Sequence, residues 1–177
     1  MAMGAFRLLE HSDDEHGNDS GSALANQIAS LISALSDHGI WIVVLVGLGV
    51  LTKRFSLRAA LIALAVVGFS SLGLNTVIKR FVNKERPDAD SPAAAFVRRP
   101  TSSSFPSGHT LATAAAAVAF PATTAGVAAG LIATSGVAWS RVQLKAHDPV
   151  DVAAGAGIGV ILGWCLRRSV QAVLRNL

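Results

Sequence analysis

Residues 57–78 read LRAALIALAVVGFSSLGLNTVI. A helix crossing a bilayer needs about 20 mostly apolar residues, so this run is long enough unaided. It stops at a stretch rich in charge and proline, from Lys79 to Pro106, and follows the polar patch TKRFSLR at 52–58. Upstream lies GIWIVVLVGLGVL, Gly39 to Leu51, which is short for a bilayer and would borrow length from its neighbours. Downstream, an alanine-rich run from Gly108 to Phe120 ends at PATTAG, where Pro121 punctuates a turn. Further apolar runs cover 125–140 and 150–166, the latter closing on Arg167 and Arg168. The pattern predicts an all-α fold, a polytopic transmembrane helical bundle of about five spans, or six.

Ahead of the first run, Leu24, Ile28, Leu31, Ile32 and Leu35 recur at helical spacing. They predict an amino-terminal amphipathic helix, lying in the membrane interface or leading into the first span. Residues 1–22 are polar and carry Asp13, Asp14, Glu15 and Asp19, which reads as a flexible acidic tail. Residues 23–177 then form a single membrane-embedded domain.

Composition agrees. Of 177 residues, 51% are hydrophobic and 15% charged, with a mean hydropathy of +0.50. Soluble domains are roughly 25% charged. The balance argues against a disordered chain, a coiled coil or a water-soluble globule. A net charge of +4 and a pI near 10.0 would suit nucleic acid in a soluble protein. Here the basic residues sit in short motifs between apolar runs, and no aromatic-basic surface is visible, so the expected partner is anionic lipid and not nucleic acid. The single cysteine, Cys165, cannot form an internal disulfide and reads as a buried, inert thiol. Glycines recur every four residues at Gly126 and Gly130, and at Gly155, Gly159 and Gly163. Such spacing lets helices approach closely, either inside one bundle or in an oligomer built through glycine-lined helices.

Counting spans gives a topological result. The run ending at Ile78, the starts of the runs at Gly108 and Val150, and the end of the run at Ser140 all fall on one membrane face. Three motifs therefore gather there: KRFVNKERP with Lys79, Arg86 and Pro87; PSGH, Pro106 to His109; and SRVQLKAHDPVD with Ser140, Arg141, His147 and Asp151. Any one cation at a helix end could be an interfacial anchor. Two histidines and an aspartate beside three cations suggest more. Lys79 and Arg86 could point the same way if their helix persists for two turns. Arg141 adds a guanidinium fork that matches phosphate oxygens. Ser107 and Gly108 sit at a helix start, where free amides receive anions. Asp148 and Pro149 suit an N-cap and first helical position. Asp151 would then reach back to His147 and leave its other ring nitrogen free to attack, and His109 could protonate a departing alkoxide.

In order and register, these motifs fit K-x6-RP, PSGH and SR-x5-H-x3-D. The chain thus resembles the type 2 phosphatidic acid phosphatase superfamily, which shares its site with bacterial acid phosphatases and vanadium haloperoxidases. The resemblance covers roughly residues 72–160 and continues into DVAAG, Asp151 to Gly155. It implies His147 as the nucleophile that forms a phosphohistidine and Asp151 as the group that orients it. His109 would be the general acid. Lys79, Arg86, Ser107, Gly108 and Arg141 would hold the phosphoryl oxygens. No metal and no cofactor are implied, since three cations supply the charge stabilisation. His11, His16 and His38 have no comparable setting.

A site at a membrane face suits a substrate whose tail stays in lipid. The expectation is an integral membrane lipid phosphatase acting on a polyprenyl-linked phosphate, either a polyprenyl diphosphate or a prenyl-linked phosphoribose. Phosphatidylglycerophosphate and phosphatidate are alternatives. A non-catalytic binder of anionic lipid is a further one, though it would need neither histidine. Lysine and arginine number eight on the motif face and six on the other, or five against six without the three proposed ligands. The positive-inside rule is therefore nearly balanced. The family more often places its site outside the cytoplasm, which gives a plasma-membrane protein with an extracytoplasmic active site.

Overall fold

The computed structural model describes residues 21–87, 91–96 and 102–176, and among these the regular structure is helical without strands. The acidic tail expected over 1–22, with His11 and His16, lies outside the described residues except for Gly21 and Ser22, which are helical.

Residues 21–36 form α1. Its expected apolar stripe faces outward: Leu24, Ile28, Leu31 and Leu35 are exposed, while Ala29, Ser33 and Ser36 are buried against the protein. A short 3-10 turn, Asp37–Gly39, then redirects the chain. Gly39 adopts φ 67°, a left-handed conformation that glycine enters without a Cβ penalty. The turn leads into α2, Ile40–Leu51.

Helix α3, Leu57–Phe81, is capped by Ser56, whose hydroxyl accepts from the Ala59 amide at 3.1 Å. It ends at Phe81, and Val82 is already extended, so the helix does not persist to Arg86. Arg86 approaches from a non-helical segment instead. Helix α4 is Gly108–Ala119, α5 is Thr124–Gln143 with a Thr123 cap, and α6 is Pro149–Asn176.

Two of the expected spans, α3 and α6, are long and apolar enough to cross a membrane by themselves. Helices α2 and α4 have 12 residues each, a rise of about 18 Å. The shortness of α4 goes with its central place, since nine of its 12 residues are buried. Its last carbonyls, which no further turn can satisfy, accept from α6. Arg167 donates to Val118, and Gln171 donates to Ala119 at 3.2 Å and Phe120 at 2.7 Å.

The glycine stripe of α6 packs inside the chain. A Cβ on Gly155 would lie 2.6 Å from the Ser107 carbonyl oxygen, and Gly159 and Gly163 meet Leu111 and Ala115 in the same way. Gly130 of α5 likewise abuts Ala117 of α4. Of the two uses read from the sequence, packing inside one bundle or an oligomer, these surfaces serve the first, since α4 occupies them. Beside them an alanine-rich core joins α3, α4 and α6 through Ala63, Val67, Ala115, Ala116, Ala119 and Val170. Cys165 corrects the expectation of burial. It is exposed, because it falls two residues, about 200° of helix, beyond the buried Gly163.

Candidate active site

Six of the eight expected residues line one cavity of about 1200 Å³: Lys79, Arg86, Gly108, His109, Arg141 and His147. The start of α4, the end of α5, the turn that precedes α6 and the carboxyl-terminal half of α3 converge on it. Asp151 and Ser107 are fully buried behind this wall.

The turn that delivers His147 is a Schellman arrangement at the end of α5. The Lys145 amide bonds to the Val142 carbonyl and the Ala146 amide to the Arg141 carbonyl, each at 3.0 Å. Lys145 takes the left-handed position, φ 53°, more often held by glycine. The His147 amide also reaches the Arg141 carbonyl, at 3.2 Å, so the imidazole is set by the helix end itself.

Arg86 Nη1 donates to the Ala146 carbonyl at 2.8 Å and lies 3.4 Å from His147 Nε2. A guanidinium has only donors, so Nε2 must be the accepting nitrogen and the neutral ring carries its proton on Nδ1. Nδ1 faces Asp151 Oδ2 at 3.7 Å, an ion-pair distance longer than a hydrogen bond. Burial first, and then the Arg86 and Lys79 cations, push the His147 imidazole down to about 3, with Asp151 pulling the other way. The ring is thus held neutral with its lone pair toward the cations that would receive phosphate.

Asp151 has a partner that the sequence reading missed. Lys84 Nζ lies 2.6 Å from Asp151 Oδ1 and 2.7 Å from Asp148 Oδ2. These two hydrogen bonds hold the Lys84 ammonium above the usual lysine range. Asp151 Oδ2 also accepts from the Asp148 amide at 3.1 Å, a first-turn cap on α6. Lys84 occupies a free position of the K-x6-RP pattern, so only the fold reveals its role.

Ser107 differs from its expected part. Its amide donates to the Asp151 carbonyl at 3.0 Å, and its hydroxyl pairs with Thr110 Oγ1 at 3.0 Å. It ties the start of α4 to the start of α6 and does not line the cavity. Gly108 does line it, pressed against Asn75 of α3, whose Nδ2 would be 2.8 Å from a Cβ at that position. Lys79 Nζ donates to the Ser103 carbonyl at 2.6 Å.

Arg141 is buried and turned toward the amino-terminal segment. Its Nη2 donates to Asp37 Oδ1 at 2.8 Å and Ser36 Oγ at 2.9 Å. The same Asp37 oxygen lies 3.0 Å from His109 Nε2. One carboxylate therefore bridges a proposed phosphate ligand and the proposed general acid. Asp37 stands at the helix break SDHG, but nothing local in that stretch connects it to residues 72 and 104 positions away.

A family model described as the PAP2 superfamily matches residues 56–175, which contain all three motifs. The chain belongs to the PAP2 superfamily. It is 35% identical over 133 residues to a decaprenylphosphoryl-5-phosphoribose phosphatase of Mycobacterium tuberculosis, covering 75% of this chain and 73% of the relative. It is 36% identical over 127 residues to the protein of the same name from Mycolicibacterium smegmatis, covering 72% and 69%. Its fold matches a transmembrane PAP2-type phosphatidylglycerolphosphate phosphatase from Bacillus subtilis with a TM-score of 0.65 at 22% identity, covering 93% and 90% of the two chains. Membership and relatives make this chain a phosphatase of the PAP2 type.

Proposed function

We propose that the chain hydrolyses a polyprenyl-linked phosphate, a prenyl-linked phosphoribose or a polyprenyl diphosphate, through a phosphohistidine on His147. The observation that carries this reading is the neutral, cation-facing Nε2 of His147 in a cavity shared with Lys79, Arg86, His109 and Arg141. Nε2 attacks phosphorus and the bond from phosphorus to the leaving oxygen breaks. His109, protonated on both ring nitrogens when substrate is bound, gives its Nε2 proton to that oxygen and is left neutral. A water then attacks the phosphohistidine, its proton returns to His109, and phosphate leaves with the imidazole regenerated. Arg86, Lys79 and Arg141 neutralise the equatorial oxygens, with Arg141 exchanging Asp37 for phosphate, so no metal is needed for charge. Asp151 holds the ring through Nδ1.

The remaining proposals carry the sequence reading forward. Residues 23–177 are one membrane-embedded domain of about five spans. Helix α1 lies with its exposed leucines in the interface. The site opens outside the cytoplasm at the plasma membrane. The named relatives support a polyprenyl substrate. The test is phosphate release by the purified protein in detergent from polyprenyl diphosphate, prenyl-linked phosphoribose, phosphatidylglycerophosphate and phosphatidate, with and without EDTA. Turnover fastest on a polyprenyl substrate and insensitive to EDTA is expected. Preference for phosphatidate, or activity lost in EDTA and restored by magnesium, overturns the reading.

A further inference from the structure

The cavity continues beyond the phosphate-binding groups along one face of α3. Lys79, Asn75 and Ser71 follow at four-residue intervals, so they stack on that face about 6 Å apart per step. All three line the cavity. Ser71 is 4% exposed, and its Oγ is buried without a hydrogen-bond partner among the described residues. Asn75 Oδ1 is buried and unpartnered in the same way. Buried polar atoms are normally satisfied, and two consecutive exceptions on one helix face need an explanation. They also sit inside a helix long enough to cross the bilayer, where polar side chains are costly and mark ligand paths. Below Ser71 the lining turns apolar, with Leu64 and Val67 of α3 facing Ile42 and Val43 of α2.

Resting on the proposed lipid phosphatase reading, we infer that Asn75 and Ser71 form a subsite for a hydroxyl-bearing linker between the scissile phosphate and the apolar chain. The sequence of chemistries down the cavity is cationic, then neutral polar, then apolar. A pentose or a glycerol beside the scissile phosphate presents neutral hydroxyls in that place, and the phosphodiester that joins it onward to the lipid offers ester oxygens to the Ser71 hydroxyl before the apolar chain begins. Asn75 offers an acceptor and Ser71 a donor and acceptor to the linker's hydroxyl or ester oxygens. A phosphate attached directly to a prenyl chain would put carbon beside both groups and leave them unsatisfied, which disfavours it. Asn75 and Ser71 are therefore specificity-determining residues rather than catalytic ones.

The experiment measures kcat/KM of wild type, Asn75→Ala and Ser71→Ala on three substrates: a prenyl-linked phosphoribose, phosphatidylglycerophosphate and a prenyl monophosphate without a linker. Ratios between substrates on one protein sample cancel any difference in folded fraction. Each variant is expected to lose about tenfold on a hydroxylated substrate, the scale of one neutral hydrogen bond plus the cost of an unmet group, and to change less than about twofold on the prenyl monophosphate. A larger loss on phosphoribose than on the glycerol lipid assigns the subsite to a pentose, and the reverse assigns it to glycerol. Equal loss on linker and linker-free substrates overturns the inference in favour of mere support of Gly108. Absence of loss on every substrate overturns it too. Wild type that turns over only the linker-free phosphate sinks the subsite and leaves the lipid phosphatase standing. Wild type inactive on every lipid phosphate sinks the underlying reading.

Discussion

Lys84 Nζ lies 2.6 Å from Asp151 Oδ1, while His147 Nδ1 is 3.7 Å from the other oxygen of that carboxylate. The orienting acid is therefore shared. Asp151 is fully buried, and Lys84, with 34% of its side chain exposed, is its compensating charge. Lys84→Met should lower stability by about 1–2 kcal/mol, less than a wholly buried pair because solvent screens the lysine. Thermal unfolding in detergent checks this, and an unchanged midpoint would contradict the assignment.

Asp37 places a negative charge against Arg141 and His109, where a phosphoryl group would arrive. Asp37→Asn removes that repulsion and frees the guanidinium. Inhibition of phosphate release by vanadate, a mimic of the five-coordinate phosphoryl species, should tighten about fivefold, close to 1 kcal/mol. A weaker inhibition constant in the variant would mean that Asp37 helps to build the anion site instead.

His147 is held down to about 3 by burial and by Arg86 and Lys79, against the pull of Asp151. The free enzyme should keep a neutral nucleophile from about pH 8 down to 5, so kcat/KM should show no limb from His147 near the ordinary value of about 6.5. Arg86→Gln removes the larger cationic contribution and should move that limb upward. The sign for stability follows from the same values. The unfolded chain takes up a proton below about 6.5 that the folded chain refuses, so stability should fall as pH drops from there toward 3. Melting temperatures across this window, compared between wild type and His147→Ala, isolate the contribution.

Gly159 faces the Leu111 carbonyl and Ala114 Cβ across the α4–α6 contact. A methyl group there forces the backbones apart. Gly159→Ala should cost about 1–3 kcal/mol and lower activity, because α4 carries His109 at its start. Gly157→Ala, where nothing lies within 4 Å, is the matched control and should leave activity unchanged and raise stability by up to about 1 kcal/mol through helix propensity. Equal behaviour of the two variants in thermal unfolding would refute the close packing.

Much of this architecture was legible in the chain. The apolar runs mark α2 to α5 within a few residues and the start of α6, since long hydrophobic runs and helix caps are local signals, but α6 continues ten residues past its run, through Arg167 and Arg168 to Asn176. The six cavity-lining motif residues also meet as their common membrane face requires. What failed to show was tertiary. Local reasoning gave the Ser107 amide to an anion, but the adjoining start of α6 claims it. Helical spacing linked Lys79 to Arg86, but the helix stops at Phe81 and a returning segment does the work. Asp37 joins the site through a hydrogen bond spanning 104 residues, which no spacing rule encodes.

The bond from the Ser107 amide to the Asp151 carbonyl, with the glycine stripe behind it, welds two of the three motifs into one rigid wall. Opposite stand groups carried by other elements: Asp37 on the turn after α1, Asn75 and Lys79 on α3, and Arg86 on a non-helical strap. Lys79 and Arg86 belong with that wall to the phosphoryl-transfer chemistry, so what is left to retune is the lining between them, Asn75 and Ser71 on α3 and the apolar face of α2. A scaffold of this kind lets lipid choice drift at those positions while the anion-receiving groups stay fixed.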